Sequence, residues 1–207
     1  MIETGQQGHW DQVYERKAPS AVSWYQPTPE PSLQAITLSG ALSTSSFIDV
    51  GGGASNLVDV LLAQGWRDLT VLDIAAPALD AARARLGPLA VKVQWVSADI
   101  TDWNPDRKFD LWHDRAVFHF LLEAKQRDAY QRALRQGTKK GSRVIIATFA
   151  LDGPERCSGL PVMRYDAKGL VGQLGDNFQL LKDWREEHVT PWGDGQSFTW
   201  CVFQRVS

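Results

Sequence analysis

Only two cysteines, Cys157 and Cys201, occur in 207 residues. That excludes a disulfide framework and fits a reducing, cytoplasmic setting. No apolar run reaches the length of a bilayer span, and the polar first twenty residues contain no apolar core segment. Neither a membrane partner nor a signal peptide is expected. Neither sign of charge is in excess: 22 Lys and Arg stand against 24 Asp and Glu, for a formal net charge of -2. With no basic stripe, nucleic acid is not an expected partner. No histidine or cysteine pair has metal-site spacing, so no metal is expected. Repeats and low-complexity tracts are also missing. Tryptophan is the abundant residue: there are nine, several in segments that read as loops.

The length suits one domain, 1–207, acting as a monomer or homodimer. Its opening, 1–32, is a polar, aromatic arm in which Pro27, Pro29 and Pro31 argue against a regular helix. From residue 46 an alternation begins. Strands are expected over 46–50, 69–72, 91–96, 109–113 and 143–150. Helices are expected over 56–64, closed by Gly65, over 77–86, followed by Gly87, and over 123–136, stopped by Gly137. Such alternation means βαβ units and a parallel sheet covered on both faces. After a helix over 166–174, two extended segments, 178–190 and 197–206, are joined by a short glycine-containing loop, which reads as an antiparallel hairpin. The expected fold class is therefore α/β: a doubly wound, Rossmann-like, seven-stranded and mostly parallel sheet ending in that hairpin. The stretch 151–165 fits neither element and reads as a long functional loop.

The chemistry concentrates at "IDVGGGASN", 48–56. Three glycines follow an aspartate at the end of a buried strand, where a helix begins. In a doubly wound sheet ligands bind at that edge, and a glycine turn lets the backbone approach them. A dinucleotide fingerprint would need glycine at position 56, where Asn56 stands, and no phosphate-loop lysine follows. Instead, an acid precedes the glycines (Asp49), a second ends the next strand (Asp73), and a third follows the strand after that (Asp99).

This ordered set resembles the class I S-adenosylmethionine-dependent methyltransferases: "DVGGGAS" is similar to their first motif, "VLDI" to the second and "SADI" to the third. The third motif glycine is replaced by Ser55, which still allows a helix start as a hydroxyl cap. The resemblance implies S-adenosylmethionine as cofactor. It sets Gly51 and Gly53 against the aminoacid part, Asp49 near the ammonium group, Asp73 on the ribose hydroxyls, Ile74 and Ile100 on the adenine faces, and Asp99 on the adenine amine. "HWDQVYERKAPSAVSWYQ" is similar to an arm found in a branch of bacterial small-molecule methyltransferases and eukaryotic lysine methyltransferases. By that likeness Trp10, Tyr14, Trp24 and Tyr25 form either a lid over the cofactor's methionine end or a pin that ties the arm down.

At the end of the fourth strand, "WHDRA" puts His113, Asp114 and Arg115 at the reactive edge as catalytic candidates. His113 is a base or an orienting group. Asp114 binds a cationic acceptor or the cofactor's ammonium, and Arg115 holds an anionic substrate or pairs with Asp114. A strand-end salt bridge explains the same residues. His119, among apolar neighbours, reads as partly buried with its hydrogen bonds met. In the 151–165 loop, Cys157 and Arg164 face the acceptor, with Cys157 also readable as a small buried residue; Cys201 reads as core. The expected activity is methyl transfer to a small nucleophilic acceptor, such as a thiol or sulfide. Two alternatives stand beside it. One is a protein lysine N-methyltransferase using Asp114, Glu155 or Glu186–Glu187. The other is a non-catalytic S-adenosylmethionine-binding regulator.

Overall fold

A computed structural model of the protein describes residues 5–207; residues 1–4 of the expected arm lie outside that range. Seven strands form one sheet: β1 (Phe47–Val50), β2 (Leu69–Asp73), β3 (Val93–Ser97), β4 (Phe109–Arg115), β5 (Thr138–Phe149), β8 (Phe178–Val189) and β9 (Gly195–Arg205). Their order is β3-β2-β1-β4-β5-β9-β8. The first five are parallel, and β9 runs antiparallel to both β5 and β8. This is a doubly wound, Rossmann-like architecture, with its switch point between β1 and β4. The glycine turn opens at that point.

The β1 strand is buried on both faces, as a central parallel strand must be. Alternate residues feed two cores. Phe47, Leu69, Val71, Leu111 and Ile145 join one, and Ile48, Val50, Leu72, Trp112 and Ile146 join the other. The connecting helices are α3 (Leu57–Ala63), α4 (Ala76–Leu86), α5 (Ala124–Gly137) and α6 (Ala167–Leu174). Their ends follow the local chemistry. Pro77 lies in the first turn of α4, a capping box joins Glu123 and Gln126 on α5, and the Asp166 carboxylate accepts from Gly169 N–H on α6.

The arm departs from expectation. It holds two helices, α1 (Gln6–Arg16) and α2 (Glu30–Ser39), the second passing through Pro31. Pro31 sits in the first turn, where its missing N–H has no intrahelical partner to lose. No α1 residue is fully buried. Trp10 and Tyr14, four apart, share a face and both meet Trp24, with ring centroids at 5.5 and 6.3 Å. Two smaller differences lie further on. The β5 strand begins five residues early, because a register shift opposite Phe109/Leu111 absorbs the turn at Gly141 (φ 91°). The loop 151–165 contains a small hairpin, β6 (Arg156–Cys157) with β7 (Leu160–Pro161), turned by Ser158 and Gly159, both at positive φ.

His119 corrects the sequence reading. It is fully buried between Phe120 and Phe149, with centroids at 4.5 and 4.8 Å. Its Nδ1 accepts from Phe149 N–H at 3.3 Å, while Nε2 has no partner among the described residues. Burial, and secondarily the Arg115 charge, push its pKa down to about 3. A depressed pKa stabilises the fold above the unfolded value of 6.5 and withdraws that contribution as pH falls toward 3. His119→Asn keeps an acceptor for Phe149 N–H and removes the titration. Its urea midpoint should fall less than the wild type's between pH 6.5 and 4. Parallel slopes would absolve this histidine.

Candidate active site

Strand ends build the site. Where β1 stops, Gly51 and Gly53 take positive φ (69° and 43°), which favours glycine. Space is as restrictive as backbone here. A Cβ on Gly51 would stand 2.0 Å from Val117 Cγ2, and one on Gly53 would stand 2.8 Å from Asp73 Oδ2 and 3.1 Å from the Tyr14 hydroxyl. The glycine turn is thus closed over by the arm on one side and the post-β4 segment on the other. Ser55 Oγ accepts from Leu57 N–H at 3.1 Å, so the expected hydroxyl contact forms, one position ahead of the cap residue Asn56.

Two hollows meet at this turn. The larger, about 760 Å³, is walled by Asp73 and Ile74 at the end of β2, Asp99 and Ile100 after β3, and Arg115 at the end of β4; Cys157 also lines it. Trp10, Tyr14 and Trp24 roof it. The second, about 590 Å³, lies between Asp49, His113, Ser32 and Tyr25. Both include Tyr14, Trp24, Gly51 and Arg115.

The carboxylates differ in setting. Asp73 Oδ1 accepts from Ala75 N–H at 2.8 Å. Burial, opposed by that bond and reinforced by Asp49, pushes its pKa up to about 7. Asp99 Oδ1 accepts from the Thr101 N–H and hydroxyl at 2.8 and 2.7 Å. Asp49 Oδ1 pairs with His113 Nδ1 at 2.7 Å, and His113 Nε2 meets Ser32 Oγ at 3.1 Å. With Nδ1 donating to the carboxylate, Nε2 accepts from the serine hydroxyl, so both ring nitrogens are engaged.

Asp114 does not face the site. Strand alternation turns it to the opposite core, where Val117 N–H (2.9 Å), Phe118 N–H (3.4 Å) and the Tyr130 hydroxyl (2.7 Å) donate to it. Burial, offset by these bonds, raises its pKa to about 6. Arg164 also lines neither hollow. It donates to Gly153 O and pairs with Glu155 at 3.0 Å on the surface. Arg115 is the reverse case. One nitrogen donates to Trp24 O at 3.1 Å and its carbon lies 5.0 Å from the centre of the Phe198 ring, but buried Nε and Nη2 have no partner among the described residues. Cys157 is buried, and burial lifts its thiol to about 12 despite Arg115 and Ser23. Burial, then the Asp73 charge, push the Tyr14 hydroxyl upward too. Both keep their protons.

Gln6, Val117, Phe120 and Leu121 also line the larger hollow and were not foreseen. The run "AVFHFL" directly after a strand-end arginine is the signal that could have marked the last three.

Acceptor-only carboxylates on one flank, two isoleucines between them and an aromatic roof suit S-adenosylmethionine. Residues 47–141 match a family described as a methyltransferase domain. The chain is 26% identical over 163 residues to a protein named probable thiol methyltransferase 2 of Arabidopsis thaliana, covering 78% of this chain and 69% of that one. It is 26% identical over 153 residues to thiocyanate methyltransferase 1 of Brassica oleracea, covering 73% and 66%. A solved SAM-dependent methyltransferase from Anabaena variabilis superposes with a TM-score of 0.76 at 14% identity, covering 98% of this chain and 96% of that one. With its three acidic strand ends, glycine turn and seven-stranded sheet, the chain is similar to the class I S-adenosylmethionine-dependent methyltransferases, the match to a methyltransferase domain spanning a little under half of it.

Proposed function

We propose that the protein methylates the sulfur of a small thiol or sulfide bound as its anion. The observation that carries this is the charge state of the cleft. Arg115 offers two buried nitrogens without partners among the described residues, while the carboxylates that line the same hollow, Asp73 and Asp99, serve the cofactor's ribose and adenine on this reading. His113 is bonded through both nitrogens, Asp114 points away, and Tyr14 and Cys157 hold their protons. An amine or alcohol would need a base to take its proton. A thiol ionises unaided near neutral pH, and a neighbouring guanidinium lowers its pKa further. The names of the two plant relatives agree with such an acceptor.

The remaining roles follow this reading. S-adenosylmethionine supplies a sulfonium methyl, which the acceptor's lone pair takes as the leaving sulfur keeps the pair of the broken bond. Asp73 accepts from the ribose hydroxyls, Asp99 from the adenine amine, and Ile74 and Ile100 sandwich the ring. Gly51 and Gly53 admit the aminoacid part beside Asp49, which His113 orients. Trp10, Tyr14 and Trp24 exclude water and turn aromatic faces to the sulfonium. Tyr25 and Cys157 border the acceptor. In this arrangement the arm is a lid on one catalytic unit whose 151–165 loop faces the substrate. The lysine reading is weaker. Glu155 is paired with Arg164, Glu186 accepts from Trp200 Nε1 and Glu187 from the Ser197 hydroxyl.

Methyl-labelled S-adenosylmethionine with sulfide should yield volatile label above a no-enzyme control; label found only on added protein would overturn the thiol reading. Arg115→Met should lower kcat/KM for the thiol by roughly 30-fold or more, with cofactor affinity nearly unchanged. An equal loss of cofactor affinity would reassign Arg115 to the cofactor's carboxylate.

Asp73→Asn should weaken cofactor binding by roughly 10- to 100-fold in calorimetry. Without cofactor it should stabilise the fold. A raised carboxyl pKa supports folding below the unfolded value of 3.8 and loses that support as pH climbs through about 7. The variant's advantage in thermal midpoint should therefore be present at pH 8 and vanish toward pH 4. An advantage independent of pH would refute the titration.

A further inference from the structure

A third hollow, about 1140 Å³, opens on the outer side of the arm. Arg16 and Lys17 at the end of α1, Arg156 on β6 and the exposed Trp192 ring line it. Among the described residues no aspartate or glutamate lines it, and none of the three cations is in an ion pair. In a chain of net charge -2, this is a local concentration of positive charge. It adjoins the cleft: Trp24 and Cys157 line both. The Arg115 charge acts on Cys157 from the cleft side. Cys157 and Trp24 therefore stand between the groove's three cations on one side and the unpartnered nitrogens of Arg115 on the other.

We propose that this groove binds the carboxylate end of the acceptor, so that the preferred substrate is an acidic thiol rather than a bare sulfide. The proposal rests on the thiol reading above and extends it. The sulfur lies against Arg115, the chain passes Cys157 and Trp24, and carboxylates meet Arg16, Lys17 and Arg156. The Trp192 ring covers the aliphatic part. Surface cations steer and select an anion more than they tighten its hold, so the effect should appear in KM and fade with salt.

Initial rates with mercaptosuccinate, 2-mercaptoethanol and cysteamine test it, with KM expressed per thiolate. The wild type should favour them in that order, and the preference should collapse at about 1 M salt, where the Debye length is near 3 Å. The triple variant Arg16→Gln, Lys17→Gln, Arg156→Gln should raise KM for mercaptosuccinate roughly tenfold and leave that for 2-mercaptoethanol unchanged. Equal KM values for the three thiols, or a variant that shifts all three alike, would overturn the groove's role while sparing the thiol reading. If no thiol is methylated, that reading fails separately. Succinate titrated against tryptophan fluorescence then decides the groove: saturable quenching lost in the triple variant supports it, and no saturable change overturns it.

Discussion

Asp49 and His113 are paired residues on the parallel strands β1 and β4, and their side chains meet at 2.7 Å on one face of the sheet. Both are almost fully buried. A carboxylate so placed, left alone, would be costly, and removing one member of such a pair costs about 3–5 kcal/mol. Ser32 completes the chain at 3.1 Å and ties α2 to the sheet. The glycine turn lies directly on this carboxylate: a Cβ on Gly52 would come within 2.6 Å of Asp49 Oδ2, while Gly51 N–H and Gly52 N–H donate to Leu72 O. The three glycines thus have three separate reasons. Gly52 clears Asp49, whereas Gly51 and Gly53 combine left-handed backbone with contacts to Val117, Asp73 and Tyr14. Sheet, arm and turn converge on one hydrogen-bonded carboxylate.

Alternation along β4 then sorts the charges. His113 and Arg115 point to the arm's face, and Asp114 points to α5. There the Tyr130 hydroxyl bridges Trp112 Nε1 and the Asp114 carboxylate. Asp114 thereby fixes the turn at Val117–Phe118 that walls the glycines, so it shapes the site without entering it. Its withdrawal leaves Arg115 without the acid that stands beside it in sequence. A guanidinium short of partners is a poor structural element and a good anion receptor.

The strand-end acids were legible in the sequence because they sit where a buried apolar run stops and a turn or helix signal starts, at Asp49, Asp73 and Asp99. The inward turn of Asp114 was also there to be read: on one strand it cannot share a face with His113 and Arg115. Other features were not local. No cap side chain marks the start of α1, and its order comes from Trp10 meeting Trp24 and Phe120, far along the chain. Pro31 reads as a breaker until its neighbours set it in a first turn. The Cys157 hairpin depends on two consecutive left-handed residues, one of them Ser158, which carries no such preference in its identity. That two nitrogens of Arg115 lack partners among the described residues is a property of the assembled pocket and of no segment within it.

The cleft also sets a problem that its cofactor sharpens. A sulfonium is a cation, and on the proposed reading it shares a desolvated space with the guanidinium of Arg115. Like charges in low dielectric repel by several kcal/mol at close range, an upper-bound figure that solvent relaxation reduces. An anion between them turns that repulsion into two attractions. Acceptor and cofactor then favour each other's binding. A neutral acceptor would leave the two cations facing one another. On that reading the two unpartnered nitrogens of Arg115 favour a thiolate in the assembled complex, although the charges of Glu186 and Asp49 also reach the guanidinium, and discrimination among acceptors comes from charge as much as from shape.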